Sequence, residues 1–338
     1  MDNKAQLLFH VADRSYFALV KKDIRAVGIQ QGFSEERSGQ LDIIVAELCS
    51  NLVKHAGHGY LIVKPIEEKG NTGIEILCTD NGSGISDIRR MLQDGTSTKN
   101  TLGHGLGAIQ RLSDKFDIYS QKDWGTIILS RLYQHPLAHY IPKFTTEVKG
   151  LVIPKTGERL CGDGFYYKQT NNKFKLFLGD GLGHGPEAAK AVDEAINSFK
   201  FCHEESPVDI IKYIHSTVKK TRGLVGTVVI FDFEKREWNI CGVGNILTKI
   251  GNFSQSKNYM CYNGILGHNI PGSLKEQITP YEPGQYLVLC SDGIKTKWEL
   301  SNYPGIFKND LSILTGAIYK DHTRNTDDSS VVIAKINL

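Results

Sequence analysis

What this chain lacks narrows its class first. No stretch approaches ~18 uninterrupted apolar residues, so no membrane-spanning helix is expected. Its opening, MDNKAQLLFH, has no charged segment leading into an apolar run, and no signal peptide is expected there. No run of five or more like charges occurs, and a formal net charge of +3 is small for 338 residues. Nucleic-acid and membrane-surface proteins usually concentrate a basic patch, so neither partner is expected. The seven cysteines (Cys49, Cys78, Cys161, Cys202, Cys241, Cys261 and Cys290) are dispersed and form no CxxC pair. An odd, scattered set of this kind fits reduced thiols in a cytoplasmic protein rather than a disulfide framework or a zinc site.

What is present is ordinary for a globular chain, with 40% hydrophobic and 23% charged residues. The length is enough for two domains, each with a core of its own. The clearest break is Gln134–Thr145, QHPLAHYIPKFT, where Pro136 and Pro142 interrupt the strand pattern. The expected division is a first domain over 1–135, a linker over 136–146 and a second domain over 147–338. Both are expected to be α+β.

In the first half the spacing of Leu41, Ile44, Val45, Leu48 and Leu52 predicts a helix over 34–55, with Ser34 as its cap. Strands are predicted at 59–64, 74–79, 116–120 and 125–132. The long Gly-rich stretch from Asn81 to Gly107 reads as a functional lid. In the second half strands are predicted at 149–153, 164–169, 173–179, 225–233, 236–243, 246–250, 285–291 and 329–336, and helices at 185–201 and 206–220. Strands bracketing paired helices imply a layered sheet–helix domain.

Glu47, Asn51 and Lys54 form a polar row along one flank of the first helix's apolar stripe. By itself such a row is ordinarily a solvated helix edge. Two glycine segments accompany it. Asp80-Asn81-Gly82-Ser83-Gly84 follows a strand directly, and a carboxylate there can accept from the exocyclic amine of a base while the glycines let backbone approach a ligand. Gly103-His104-Gly105-Leu106-Gly107 opens a helical segment, whose N-terminal amides suit a phosphate. The glycine spacing is not that of the dinucleotide fingerprint.

The order ExxxNxxKHA, DNGSGI, GHGLGA and then Gly125-Thr126 resembles the GHKL ATPase/kinase superfamily, in particular its small anti-sigma-factor and switch-kinase branch of the RsbT type. The likeness covers about residues 7–133. It implies an α/β sandwich in which Asn51 holds a Mg²⁺ on the ATP phosphates, Lys54 joins the nucleotide site and Asp80 reads adenine. Gly82, Gly84, Gly103, Gly105 and Gly107 would shape the pocket, Thr126 would sit beside the base, and Glu47 would be the general base toward a substrate serine. An aliphatic residue is common in switch kinases where this chain has His104, which is expected only to fill space.

The second half carries four acidic segments, Gly162-Asp163-Gly164, Gly179-Asp180-Gly181-Leu182-Gly183-His184-Gly185, Ser291-Asp292-Gly293 and Asp327-Asp328-Ser329-Ser330. A single Asp-Gly is usually just a turn. LFLGDG and YLVLCSDG differ, because each runs a buried strand straight into an aspartate. Carboxylates gathered that way need cations, and an oxygen donor set favours Mg²⁺ or Mn²⁺ over zinc. CGDGFYY, FLGDGLGHGPEAAKA, GVGN, LCSDG and TDDSSVVIA resemble, in order, the PPM-type metal-dependent phosphatases, specifically the SpoIIE-like branch and its short RsbX-type members. Over about 147–336 this implies an αββα sandwich with two ions bridged by Asp180, the Gly181 carbonyl as a further ligand, and Asp163, Asp292 and Asp327 completing the set. In the family pattern the first aspartate of the final pair is the ligand, which selects Asp327 over Asp328. His184 would protonate the leaving serine oxygen, order a metal-bound water or shape its loop, and Arg159 is the nearest candidate for a phosphate-binding arginine.

The combined expectation is a partner-switching regulator of sigma factors. One half would use Mg²⁺·ATP to phosphorylate a serine, and the other would remove phosphate from a phosphoserine. The protein partner implied by the resemblance is a small anti-sigma-factor antagonist of the STAS type, alongside other sigma-factor regulators, and related ATP-binding regulators often pair as homodimers. Two alternatives stand beside it: an ATP-sensing phosphatase whose first half transfers nothing, and a docking module that sequesters a partner. Intact Glu47 and Asn51 favour the kinase.

Overall fold

The computed structural model describes residues 5–92, 105–136 and 145–338. They divide into two compact units, residues 6–136 with 305–317 and residues 145–304 with 318–338. The stretch Gly305–Ala317 therefore clusters with the first unit and not with the contiguous 147–338 span.

The first unit is built on an antiparallel sheet of β1 (Leu7–Val11), β2 (Gly59–Glu68), β3 (Asn71–Asp80), β4 (Lys115–Gln121) and β5 (Gly125–Tyr133), in the order β1-β2-β3-β5-β4. Its helices are α1 (Phe17–Gln30), α2 (Glu35–Asn51), α3 (Ile88–Leu92) and α4 (Gly105–Leu112). β1 and α1 lie ahead of the elements expected from the sequence. The apolar stripe of α2 (Leu41, Ile44, Val45 and Leu48) packs with Val20 and Ile24 of α1 on Leu61, Ile74 and Ile76 of the sheet. Ser34 caps α2 by accepting from the Arg37 amide at 3.2 Å, and Glu35 and Glu36 meet the positive end of the helix dipole. At its C-terminal end α2 widens into a π-turn, Leu52–Ala56, a distortion that frequently marks functional positions.

The second unit packs two antiparallel sheets face to face. One contains β7 (Asp163–Gln169), β8 (Lys173–Gly181), β9 (Leu224–Asp232), β10 (Glu237–Val243) and β13 (Gln277–Pro280); the other contains β6 (Thr145–Ile153), β11 (Leu247–Gly251), β12 (Ser256–Tyr259), β14 (Tyr286–Cys290) and β15 (Ser329–Asn337). Between them Phe174, Leu176, Phe231 and Trp238 meet Leu287, Leu289, Val332 and Ala334. Helices α5 (Pro186–Phe201) and α6 (Pro207–Thr217) cover the outer face of the first sheet, where Val192, Phe199, Ile210 and Ile214 pack on Phe177, Val228 and Ile230.

The last helix, α7 (Leu311–His322), begins in the first unit. There Gly316 lies so near the sheet that a methyl added to it would sit 2.8 Å from the Leu77 side chain. Among the described residues no helix is long and apolar enough to cross a membrane.

Candidate functional site

In the second unit the acidic segments converge because of strand register. Asp163 starts β7 and Asp180 nearly ends β8, and antiparallel pairing places the two directly opposite one another. Asp163 is buried and its Oδ2 accepts from Ser291 Oγ at 2.6 Å, while its Oδ1 is buried without a hydrogen-bond partner. Burial is the chief reason that the Asp163 carboxyl is pushed up to about 7, the charges of Asp328 and Asp292 adding to it against the Ser291 hydrogen bond. Asp180 is raised well above the usual carboxylate range, first by burial and then by Asp163, Asp292, Asp327 and Asp328 in turn. A carboxyl surrounded by four others, with no cation of the chain among the causes, is a standing demand for positive charge.

The two aspartates of the final pair are used differently. Both Asp328 oxygens are taken by backbone amides at 2.8 Å, Oδ1 by Lys155 and Oδ2 by Gly162. Asp328 is thus a clamp that ties the segment before β7 to the start of β15. Asp327 is half-buried, and its Oδ1 accepts only from the amide of Asp328 at 2.9 Å. Asp292 is exposed and its Oδ2 accepts from Asn245 Nδ2 at 3.0 Å. The approach of backbone to backbone here is tight: a methyl on Gly181 would lie 2.5 Å from the Ala188 carbonyl oxygen, so only glycine lets α5 come this close.

The donor set is oxygen only, which suits Mg²⁺ or Mn²⁺. Among the described residues no three His, Cys, Asp or Glu side chains close into a ready-made cage. Mg²⁺ does not need one, since it keeps several waters and takes one or two carboxylates. The residues present fit such ions, the orphaned Asp163 Oδ1 and the Asp180 carboxyl among its acidic neighbours above all. His184 is exposed, and its Nδ1 lies 2.8 Å from Glu158 Oε1. Arg159 is exposed. Two residues that hold site carboxylates were not singled out from the sequence, namely Ser291 and Asn245, though both stand in quoted motifs.

In the first unit, Glu47 and Asn51 come together at the start of α4. A methyl on Gly105 would lie 3.2 Å from Glu47 Oε2 and 3.5 Å from Asn51 Oδ1. Asp80 ends β3, and its Oδ1 accepts from the amides of Gly82 at 2.8 Å and Thr126 at 3.2 Å. Ser120 secures this corner by accepting from the Ile85 amide and lying 2.9 Å from Thr126 Oγ1. Gly84, at φ +74°, is backed onto the Gln121 carbonyl, where a side chain has no room. Gly82 adjoins Ala56 of the π-turn, which links the Asp80 corner to the end of α2 that carries Asn51 and Lys54. Gly107 is buried within α4. Gly103 and His104 lie outside the described residues, as does much of the expected lid.

A histidine kinase-like ATPase domain model matches residues 11–131. The serine/threonine-protein kinase RsbT of Bacillus subtilis (strain 168) is 35% identical over 104 residues, which is 31% of this chain and 78% of that protein. The phosphoserine phosphatase RsbX of the same organism is 26% identical over 146 residues, 42% of this chain and 71% of that protein. A crystal structure of RsbX in complex with magnesium superposes with a TM-score of 0.52 at 21% identity, covering 59% of this chain and 98% of that one, a likeness of fold.

Proposed function

Since the first half of the chain belongs to the histidine kinase-like ATPase family and is joined to a PPM-type phosphatase fold, we propose that it is a two-way serine phosphorylation switch. The first unit transfers phosphate from Mg²⁺·ATP to a serine of a STAS-type anti-sigma-factor antagonist, and the second removes phosphate from such a phosphoserine. The observation that carries the reading is the half-buried Asp180 carboxyl among Asp163, Asp292, Asp327 and Asp328.

Divalent ions held by Asp163, Asp180, the Gly181 carbonyl, Asp292 and Asp327 would supply an activated water and offset charge on the phosphoryl oxygens. The chain's own residues prepare that site. Ser291 orients Asp163 by donating to one oxygen, leaving the other free to ligate. Asn245 does the same for Asp292. The Asp328 clamp holds the strand ends in register, so that the carboxylates cannot relax apart. In the first unit Glu47 would act as general base toward the substrate hydroxyl, Asn51 and Lys54 would serve the phosphates and their Mg²⁺, and Asp80 with Thr126 would receive the adenine. Gly82, Gly84, Gly105 and Gly107 keep backbone close to the nucleotide, and Gly103 is assigned the same role from the sequence.

The test uses the full chain with a purified STAS protein and its phosphoserine form. Phosphate release should need Mn²⁺ or Mg²⁺ and stop in EDTA, and label should pass from γ-labelled ATP to the unphosphorylated protein. Release that persists in EDTA overturns the phosphatase reading. Phosphate release that responds to ATP without any labelling makes the first unit a sensor, and ATP that alters only affinity for the STAS protein makes it a docking module.

A further inference from the structure

Four carboxylates, Asp163, Asp180, Asp292 and Asp327, are assigned to the phosphatase site, and a phosphoserine adds about two more negative charges to it. Ions neutralise the carboxylates, but the substrate's outer phosphoryl oxygens need donors of their own. A guanidinium fork matches a phosphate in shape and charge, and keeps its charge at any working pH.

We propose that Arg222 is the residue that binds the phosphoryl group of the substrate, an inference that rests on the phosphatase reading above. Its guanidinium is seated over the loop that follows Asp180: a methyl on Gly183 would lie 3.2 Å from Nη1 and 3.3 Å from Cζ of Arg222. Gly183 is at φ +79°, a conformation that glycine adopts without strain, and its bare Cα leaves the space that the guanidinium occupies. The seat is anchored on both sides. The Leu182 amide donates to the Gly223 carbonyl at 3.1 Å, which fastens the backbone beside Arg222 to the loop beside Gly181. Gly181 itself pairs with Leu224 at the start of β9, so Arg222 enters the sheet where Asp180 and Gly181 leave it.

Arg222 is exposed and, among the described residues, makes no ion pair or hydrogen bond. An arginine with a structural role would be expected to use its donors on the neighbouring carboxylates. This one rests its flat face on a glycine and keeps all five N–H groups available. The neighbouring Lys219 and Lys220 are exposed as well, but neither is placed against the metal-site loop by any contact. Arg159, the arginine favoured from the sequence, stands beside the exposed Glu158–His184 pair instead.

The experiment compares wild type with Arg222→Lys, Arg222→Ala and Arg159→Ala in the full chain, reading hydrolysis of a phosphoserine peptide and calorimetric binding of inorganic phosphate, both in Mn²⁺. Arg222→Ala should lower kcat/KM by ~10–100-fold and weaken phosphate binding by a similar factor, the range for losing a charge-assisted hydrogen-bonded pair. Arg222→Lys should recover part of the loss, because it restores the charge without the fork, and Arg159→Ala should change neither. The Mn²⁺-induced rise in melting temperature should be the same in all four proteins, which separates loss of phosphate binding from loss of the metal site. An active wild type whose kcat/KM and phosphate affinity are untouched by Arg222→Ala overturns the inference and leaves the phosphatase reading standing. A wild type that hydrolyses nothing but binds phosphate through Arg222 does the reverse. A loss that tracks Arg159 instead also overturns it.

Discussion

The Arg131 site yields a prediction that the sequence reading of an independent first domain does not. Arg131 of β5 is buried, and its Nε donates to Glu75 Oε2 at 2.6 Å. Its Nη1 and Nη2 make a two-pronged contact with Asp310 at 2.8 Å each, and Nη2 also donates to Ser312 Oγ at 3.0 Å. Asp310 in turn accepts from the Ser312 amide at 3.0 Å and pairs with Lys115 at 2.6 Å. The Arg131 and Asp310 side chains are each only 2% exposed, so water cannot replace a missing partner. Removing one member of a buried pair leaves an uncompensated charge and typically costs about 3–5 kcal/mol, whereas an exposed pair is worth about 0–1 kcal/mol. Asp310→Ala leaves Arg131 with Glu75 as its remaining carboxylate, so it should destabilise the first unit by about 3 kcal/mol, the lower end of that range. The double variant Asp310→Ala with Arg131→Met removes the charge together with its partner. It should cost clearly less than the sum of the singles, since Glu75 keeps its 2.9 Å contact with Lys64. The assay is urea unfolding of the full chain followed by hydrogen exchange at the β5 amides, which report the first unit alone. A loss below about 1 kcal/mol for Asp310→Ala, or strict additivity in the double variant, would refute the reasoning. A corollary is that a fragment ending at 135 should unfold more readily than the same residues in the full chain.

The two terminal aspartates should separate cleanly: Asp328→Asn should lower stability by about 1–3 kcal/mol, because an amide nitrogen would face one of its two backbone donors, while Asp327→Asn should lower turnover with little change in unfolding. Equal effects on both readouts for the two variants would show that the roles are not divided. Asp180→Asn should reduce phosphoserine hydrolysis by several orders of magnitude. Mn²⁺ at ~100 times its Kd should stabilise the wild-type second unit by about 2.7 kcal/mol, read as a shift in its melting midpoint, and an unmoved midpoint counts against a shared ion site. Asp80→Asn should weaken ATP binding measured by calorimetry, whereas Glu47→Gln should bind ATP normally and fail to label a serine acceptor; transfer that survives in Glu47→Gln removes that residue as the base.

Much of both sites was legible in the sequence because their signals are local. A buried strand that runs into Asp-Gly announces itself in LFLGDG and YLVLCSDG, and α2 carries its polar row beside an unbroken apolar stripe. The strands β2 to β5 and β6 to β11 fall within a few residues of their expected positions for the same reason. What escaped has a physical cause in each case. Helix α7 has no polar side over Leu311–Tyr319, every residue being buried, so a helical period in hydrophobicity does not exist to be found. β12 and β13 are short, largely exposed edge strands whose residues SKNY and QITP read as loop. That Asp328 clamps backbone depends on amides at Lys155 and Gly162, more than 160 residues away in the chain. Arg222 looks like any arginine in a basic turn until β9 carries it onto Gly183. The sequence by itself determined where carboxylates and glycines interrupt regular structure, since strand, turn and helix ends are decided by neighbours in the chain. Only the tertiary structure decided which of those groups share one desolvated space, because charge, burial and hydrogen-bond supply there come from strands and helices far apart in sequence.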